Sequence, residues 1–89
     1  MSIKIMNAVW ASGPEDHTGL LVLLAMADIA DDNGILWPSV ATIATKSRMS
    51  ERNARRVIRI LEANGWVETN INRGRNHTSS YRINTDKIT

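Results

Sequence analysis

The chain has 89 residues, 43% of them apolar and 22% charged, which suits one small folded domain with a modest core. It contains no cysteine, which excludes a disulfide framework and any thiolate metal site. The net charge of +2 conceals a split: residues 1–45 carry one base, Lys4, against five acids, a net of −4, whereas residues 46–89 carry ten bases against four acids, a net of +6. A polyanion suits the second half and not the first.

In chain order, Ser2 is placed to cap a short helix over Ile3–Ala11, with Ile3, Met6 and Trp10 on one face. Ser12-Gly13-Pro14 breaks it; Pro14 suits the first turn of the next helix, and Glu15 and Asp16 follow it where a helix dipole favours acids. From His17 to Asp31 the apolar residues are dense enough to surround the helix, which marks it as the central one. Asn33-Gly34 ends it. Ile35-Leu36-Trp37 is a short extended run, because Pro38 disfavours helix at the residue before it. Ser39 then caps a helix over Val40–Lys46 with Val40, Ile43 and Ala44 inward. Ser47-Arg48-Met49 makes a tight turn. Ser50 caps a longer helix over Glu51–Asn64, closed by Gly65. The pattern then becomes β-like: Trp66 to Ile71, a polar segment Asn72 to His77, and Thr78 to Ile83 form a hairpin with a basic tip.

The helix Glu51–Asn64 is the informative one. Ala54, Val57, Ile58 and Leu61 form an i, i+3, i+4, i+7 apolar stripe, and Arg52, Arg55, Arg56 and Arg59 repeat that spacing on the opposite side. Like charges at i, i+4 repel by a few tenths of a kcal/mol. Such a face suits an external anion, and the guanidinium fork suits phosphate and guanine. A solvated helix face is the plain alternative. The preceding short helix, turn and Ser cap complete a helix-turn-helix unit, whose second helix enters the DNA major groove.

On these residues the sequence resembles a known family. Trp37-Pro38-Ser39, Ile43-Ala44, Met49-Ser50-Glu51-Arg52, Arg56, Leu61-Glu62 and Gly65-Trp66-Val67 are similar to the winged helix-turn-helix domains of phage and plasmid replication initiators and small bacterial regulators. The resemblance extends back to Met6-Asn7 and Trp10 and forward through the hairpin. It implies an α+β fold with a three-helix core, a short N-terminal helix and a small antiparallel sheet carrying a β-hairpin wing. The whole chain, 1–89, is then one domain with the helix-turn-helix at 39–64 and the wing at 66–84. It also implies that Glu51–Asn64 is the recognition helix and Asn72–His77 the wing tip. This chain departs from the pattern at Arg48, where glycine is common, and at Asn53-Ala54, where Thr-Val is common.

Arg52, Asn53 and Arg56 are expected at base edges, from the first two turns of the recognition helix; each serves equally as a phosphate contact. Backbone contacts are expected from Ser39, Thr42, Lys46, Arg48, Ser50, Arg55 and Arg59, although Ser39 serves equally as an N-cap. Arg73, Arg75, Asn76 and His77 form a wing tip suited to a minor groove or to phosphates, or else a solvated turn. Trp10, Trp37 and Trp66 are expected in the core, as a small domain with four aromatic residues spends them on packing. Asp28, Asp31 and Asp32 lack the spacing of a calcium loop, and their place at a helix C-terminus opposes the dipole. No cofactor, metal or small-molecule ligand is indicated, and no nucleophile–base pair that would suggest an enzyme. The start Met1-Ser2-Ile3-Lys4 opens no signal-like run and no stretch is long enough to span a bilayer, so the expected compartment is the cytoplasm of a bacterium or phage-infected cell. The expected function is sequence-specific binding of double-stranded DNA, as a transcriptional regulator or a replication-related protein. A homodimer or cooperative oligomer is expected, because one recognition helix covers few base pairs. A winged-helix module for protein–protein interaction is the alternative.

Overall fold

The computed structural model describes residues 2–37, 40–71 and 79–88. Its elements run α1 (Ile3–Ser12), α2 (His17–Ile29), β1 (Ile35–Leu36), α3 (Val40–Ser47), α4 (Glu51–Ala63), β2 (Val67–Ile71), β3 (Ser79–Ile83) and α5 (Thr85–Ile88). Ser39 and the tip residues Arg73, Arg75, Asn76 and His77 lie outside the described residues. The architecture is α+β, as expected. Among the described residues no helix is long and apolar enough to cross a membrane.

The central helix is α2. Val22, Leu23, Met26 and Ala27 are fully buried, and α1, α3 and α4 all pack on it. It begins at Asp16, whose carboxylate accepts the Gly19 amide at 2.9 Å, so Pro14 and Glu15 precede the helix instead of entering its first turn. It also ends two residues before Asp31. Ala30 is extended, and the Asp31 carboxylate accepts the amides of Asn33 and Ile35 at 2.9 and 3.1 Å, giving the backbone an alternative to further helix. The acids crowded there each have a separate role. Asp28 pairs with Lys46 at 2.8 Å, Asp31 organises the loop, and Asp32 accepts the Ser2 hydroxyl at 3.1 Å. Ser2 in turn caps α1 by accepting the Ile5 amide.

Helix α1 presents a different face to the core from the one expected. Ile5 and Val9 are buried, whereas Ile3 and Trp10 are each 65% exposed. Ile3 and Trp10 do share a face, with Met6 half-buried at its margin, but that face looks to solvent. Trp37 is 61% exposed as well: alternation along the extended run turns Leu36 inward and the next side chain outward. Of the three tryptophans only Trp66 packs against the core.

The sheet is antiparallel with order β1-β3-β2. Leu36 and Thr69 flank Tyr81, and Val67 lies opposite Ile83. Leu36, Val67, Tyr81 and Ile83 are all buried, so one face of the sheet closes the core beneath the helices. Helix α5 was not legible in the sequence, since four residues carry too little periodicity. It buries Ile88 and packs on α1, and Lys87 sits 4.6 Å over the Trp66 ring.

Two helix ends share one hydrogen-bond pattern. After α4, the Gly65 amide reaches the Glu62 carbonyl at 3.1 Å and the Trp66 amide reaches Leu61 at 2.9 Å, with Gly65 at φ 83°. After α3, the Arg48 amide reaches Thr45 at 3.3 Å and the Met49 amide reaches Ala44 at 3.1 Å, with Arg48 at φ 59°. The second closure places a left-handed-backbone penalty on an arginine, because its Cβ crowds the following carbonyl at a cost of roughly 1–2 kcal/mol. Arg48 is exposed and contributes no core packing. Arg48→Gly is therefore expected to raise stability by about 0.5–1 kcal/mol, the relief exceeding the added chain entropy of glycine, as read by urea denaturation at unchanged m-value.

Candidate nucleic-acid interface

Helix α4 stands on its buried stripe. Ala54, Val57, Ile58 and Leu61 are all buried. The arginines are offset from that stripe by two residues, about 200° of rotation, which carries them to the outer side. Arg52, Arg55, Arg56 and Arg59 are all exposed. Ser50 fixes the N-terminus by accepting the Asn53 amide at 3.2 Å. Together Ser50, Arg52, Asn53, Arg55, Arg56 and Arg59 line a concavity of about 450 Å³.

The electrostatic state of this row decides what it can do. Among the described residues the ion pair present joins Lys46 to Asp28, and no arginine of α4 meets a carboxylate at pairing distance. Four guanidinium groups are thus held together on one helix face without a carboxylate at pairing distance among the described residues. Within the row, the Arg56 Nε and Nη2 donate to Asn53 Oδ1 at 3.2 and 2.9 Å, and Asn53 Nδ2 donates to Met49 Sδ at 3.7 Å.

A second concavity, of about 480 Å³, opens between α4 and the sheet and is lined by Arg55, Arg59, Glu62, Thr69 and Tyr81 together with Val40 and Ile58. Burial pushes the Tyr81 phenol above its usual range; Arg55 opposes that shift and Glu62 adds to it. Thr69 and Tyr81 carry no site signal in the sequence. They become neighbours of the arginines only through the pairing of β2 with β3, and no local motif reports that pairing.

Of the other residues expected at the interface, Thr42 is exposed on α3 and Arg48 is exposed in the turn. Lys46 is exposed too, but its ammonium is engaged by Asp28. Thr42, Lys46 and Arg48 do not line the α4 concavity. Ser39, Arg73, Arg75, Asn76 and His77 cannot be placed relative to it, being outside the described residues.

Comparison with known proteins agrees with this geometry. A helix-turn-helix domain family matches residues 17–67, from the start of α2 to the first residue of β2 and more than half of the chain. Protein YmfN of Escherichia coli (strain K12) is 35% identical over 71 residues, covering 75% of this chain. The chain spans 15% of that relative's length. No solved structure matches significantly. With the matched segment containing α2, the α3–turn–α4 unit and the exposed arginine row, the chain belongs to the helix-turn-helix domain family, whose general activity is to bind DNA.

Proposed function

We propose that the protein binds double-stranded DNA sequence-specifically by inserting α4 into the major groove, as a transcriptional regulator or a replication-related protein. The observation that carries this reading is the row Arg52, Arg55, Arg56 and Arg59, exposed on a helix whose opposite side is buried and lacking carboxylate partners among the described residues. A uniform row of cations repels itself; a duplex, with one charge per about 1.7 Å of axis, relieves that repulsion. Arg52 and Arg56, on the first two turns of α4, form the base-edge group, with Asn53 between them. Arg55 and Arg59, beside the sheet-side concavity, suit the phosphates of the flanking strand, with Ser50, Thr42 and Arg48 as further backbone contacts. The tip residues Arg73, Arg75, Asn76 and His77 are assigned to the adjacent minor groove or its phosphates on their chemistry.

Specificity over more than a few base pairs calls for a second copy on the DNA. The exposed Ile3 and Trp10 on α1 are the apolar surface we assign to that contact.

Selection of bound fragments from a randomised duplex library tests the central reading; recovery no better than random sequence rejects it. On the selected site, Arg52→Ala or Arg56→Ala should weaken binding by about 1–3 kcal/mol and blur one base position each. Arg55→Ala or Arg59→Ala should weaken cognate and random duplexes alike and reduce the salt slope by about 1, measured by titration across salt concentrations. Asp28→Asn should release Lys46 and strengthen binding to random duplex at low salt, while the surface pair it removes is worth at most about 1 kcal/mol of stability. Trp10→Ser should shift the protein to a monomer in sedimentation and abolish cooperative filling of paired half-sites, leaving single half-site affinity unchanged.

A further inference from the structure

We infer that Asn53 acts as a positioning residue for Arg56, not as a base reader in its own right, and that the base read through this pair is a guanine. The inference rests on the major-groove reading proposed above and divides the labour within it.

Asn53 and Arg56 are three residues apart, and so are neighbours on the helix surface. Both Nε–H and Nη2–H of Arg56 point at a single oxygen, Asn53 Oδ1, at 3.2 and 2.9 Å. A guanidinium has only donors, so the amide must present its oxygen to it, which fixes the amide orientation chemically. The other end of the amide is also committed, with Nδ2 directed at Met49 Sδ at 3.7 Å. Met49 packs against the core, and the Asn53 backbone amide is held by the Ser50 hydroxyl. A chain of contacts therefore runs from the core through Met49 and Asn53 to the Arg56 guanidinium.

The chemistry of the two side chains then separates their roles. To read adenine, an Asn needs its oxygen free to accept from N6 and its nitrogen free to donate to N7. Here the oxygen already takes two donors from Arg56, and one N–H of the nitrogen is directed at Met49 Sδ. Arg56, by contrast, uses only the side of its guanidinium that carries Nε. The end formed by Nη1 and the outer Nη2 hydrogen is left as a parallel pair of donors, which matches O6 and N7 of guanine. Holding the side chain in this orientation before DNA arrives lowers the ordering cost of binding.

The test compares randomised-duplex selections for the wild-type chain, Arg56→Ala, Asn53→Ala and Asn53→Asp, with side-chain NMR of the free proteins. Expected is one guanine position in the wild-type site that Arg56→Ala erases. Asn53→Ala should reduce the preference there by about tenfold. Asn53→Asp, which keeps an oxygen for the guanidinium but cannot donate to adenine N7, should retain the guanine at lower overall affinity. The Arg56 Nε–H of the free protein should be ordered in the wild type and in Asn53→Asp, and mobile in Asn53→Ala. Loss of an adenine at a different position in Asn53→Ala, or equal loss in Asn53→Asp and Asn53→Ala, overturns the positioning role. So does an unchanged selection in Asn53→Ala whose thermal melt shows an intact fold. A wild-type chain that selects no sequence overturns the major-groove reading itself, and with it this inference. That failure is distinguishable because it occurs before any variant is made.

Discussion

Burial of Ala54, Val57, Ile58 and Leu61 is the constraint on which the interface depends. These four side chains can be withdrawn from water only if α4 adopts one rotation about its axis. That rotation puts Arg52, Arg55, Arg56 and Arg59 outside. The orientation of the charged row is thus fixed by hydrophobic packing against the rest of the core, and the self-repulsion of the row is too weak to alter it: a few tenths of a kcal/mol per pair against roughly 1.5–3 kcal/mol for each of the buried Val57, Ile58 and Leu61 side chains. The protein can hold a poorly neutralised surface because its stability is secured on the other side of the same helix.

The remaining elements serve this arrangement in different ways. Helix α2 supplies the apolar surface on which α3 and α4 rest, and its C-terminal acids are spent locally: one on Lys46, one on the loop to β1, one on Ser2. None of them pairs with the arginines of α4, so the negative half of the chain and the positive row stay separate. The left-handed turn at Arg48 closes α3 ahead of α4 and carries an exposed cation, at a cost a glycine would avoid.

How much of this was legible in the sequence differs by element. Helices α2, α3 and α4, the strand pattern, the caps Ser2 and Ser50 and the closing Gly65 were all readable, because apolar period and cap chemistry are local signals. The buried face of α1 was not. Ile3, Met6 and Trp10 and the pair Ile5 and Val9 both have helical spacing, and only packing on α2 chooses the second set. Trp10 and Trp37, expected inside for their apolar area, lie outside because the core is closed by Val9 and Leu36 beside them. The arginine row was visible as spacing. Its lack of carboxylate partners among the described residues, the engagement of Lys46 by Asp28, the Asn53–Arg56 contact and the approach of Tyr81 to Arg55 were not, since each depends on side-chain rotamers or on residues distant in sequence.

The position of β3 in the middle of the sheet has a consequence for how the hairpin can vary. Tyr81 and Arg82 are paired on both sides, Tyr81 with Leu36 and with Thr69, and a slip of one residue would turn Tyr81 and Ile83 out into water. Register is therefore anchored by β1 and the core, independently of the segment joining β2 to β3. A change of length or charge in the sequence between the two strands therefore leaves their pairing in place.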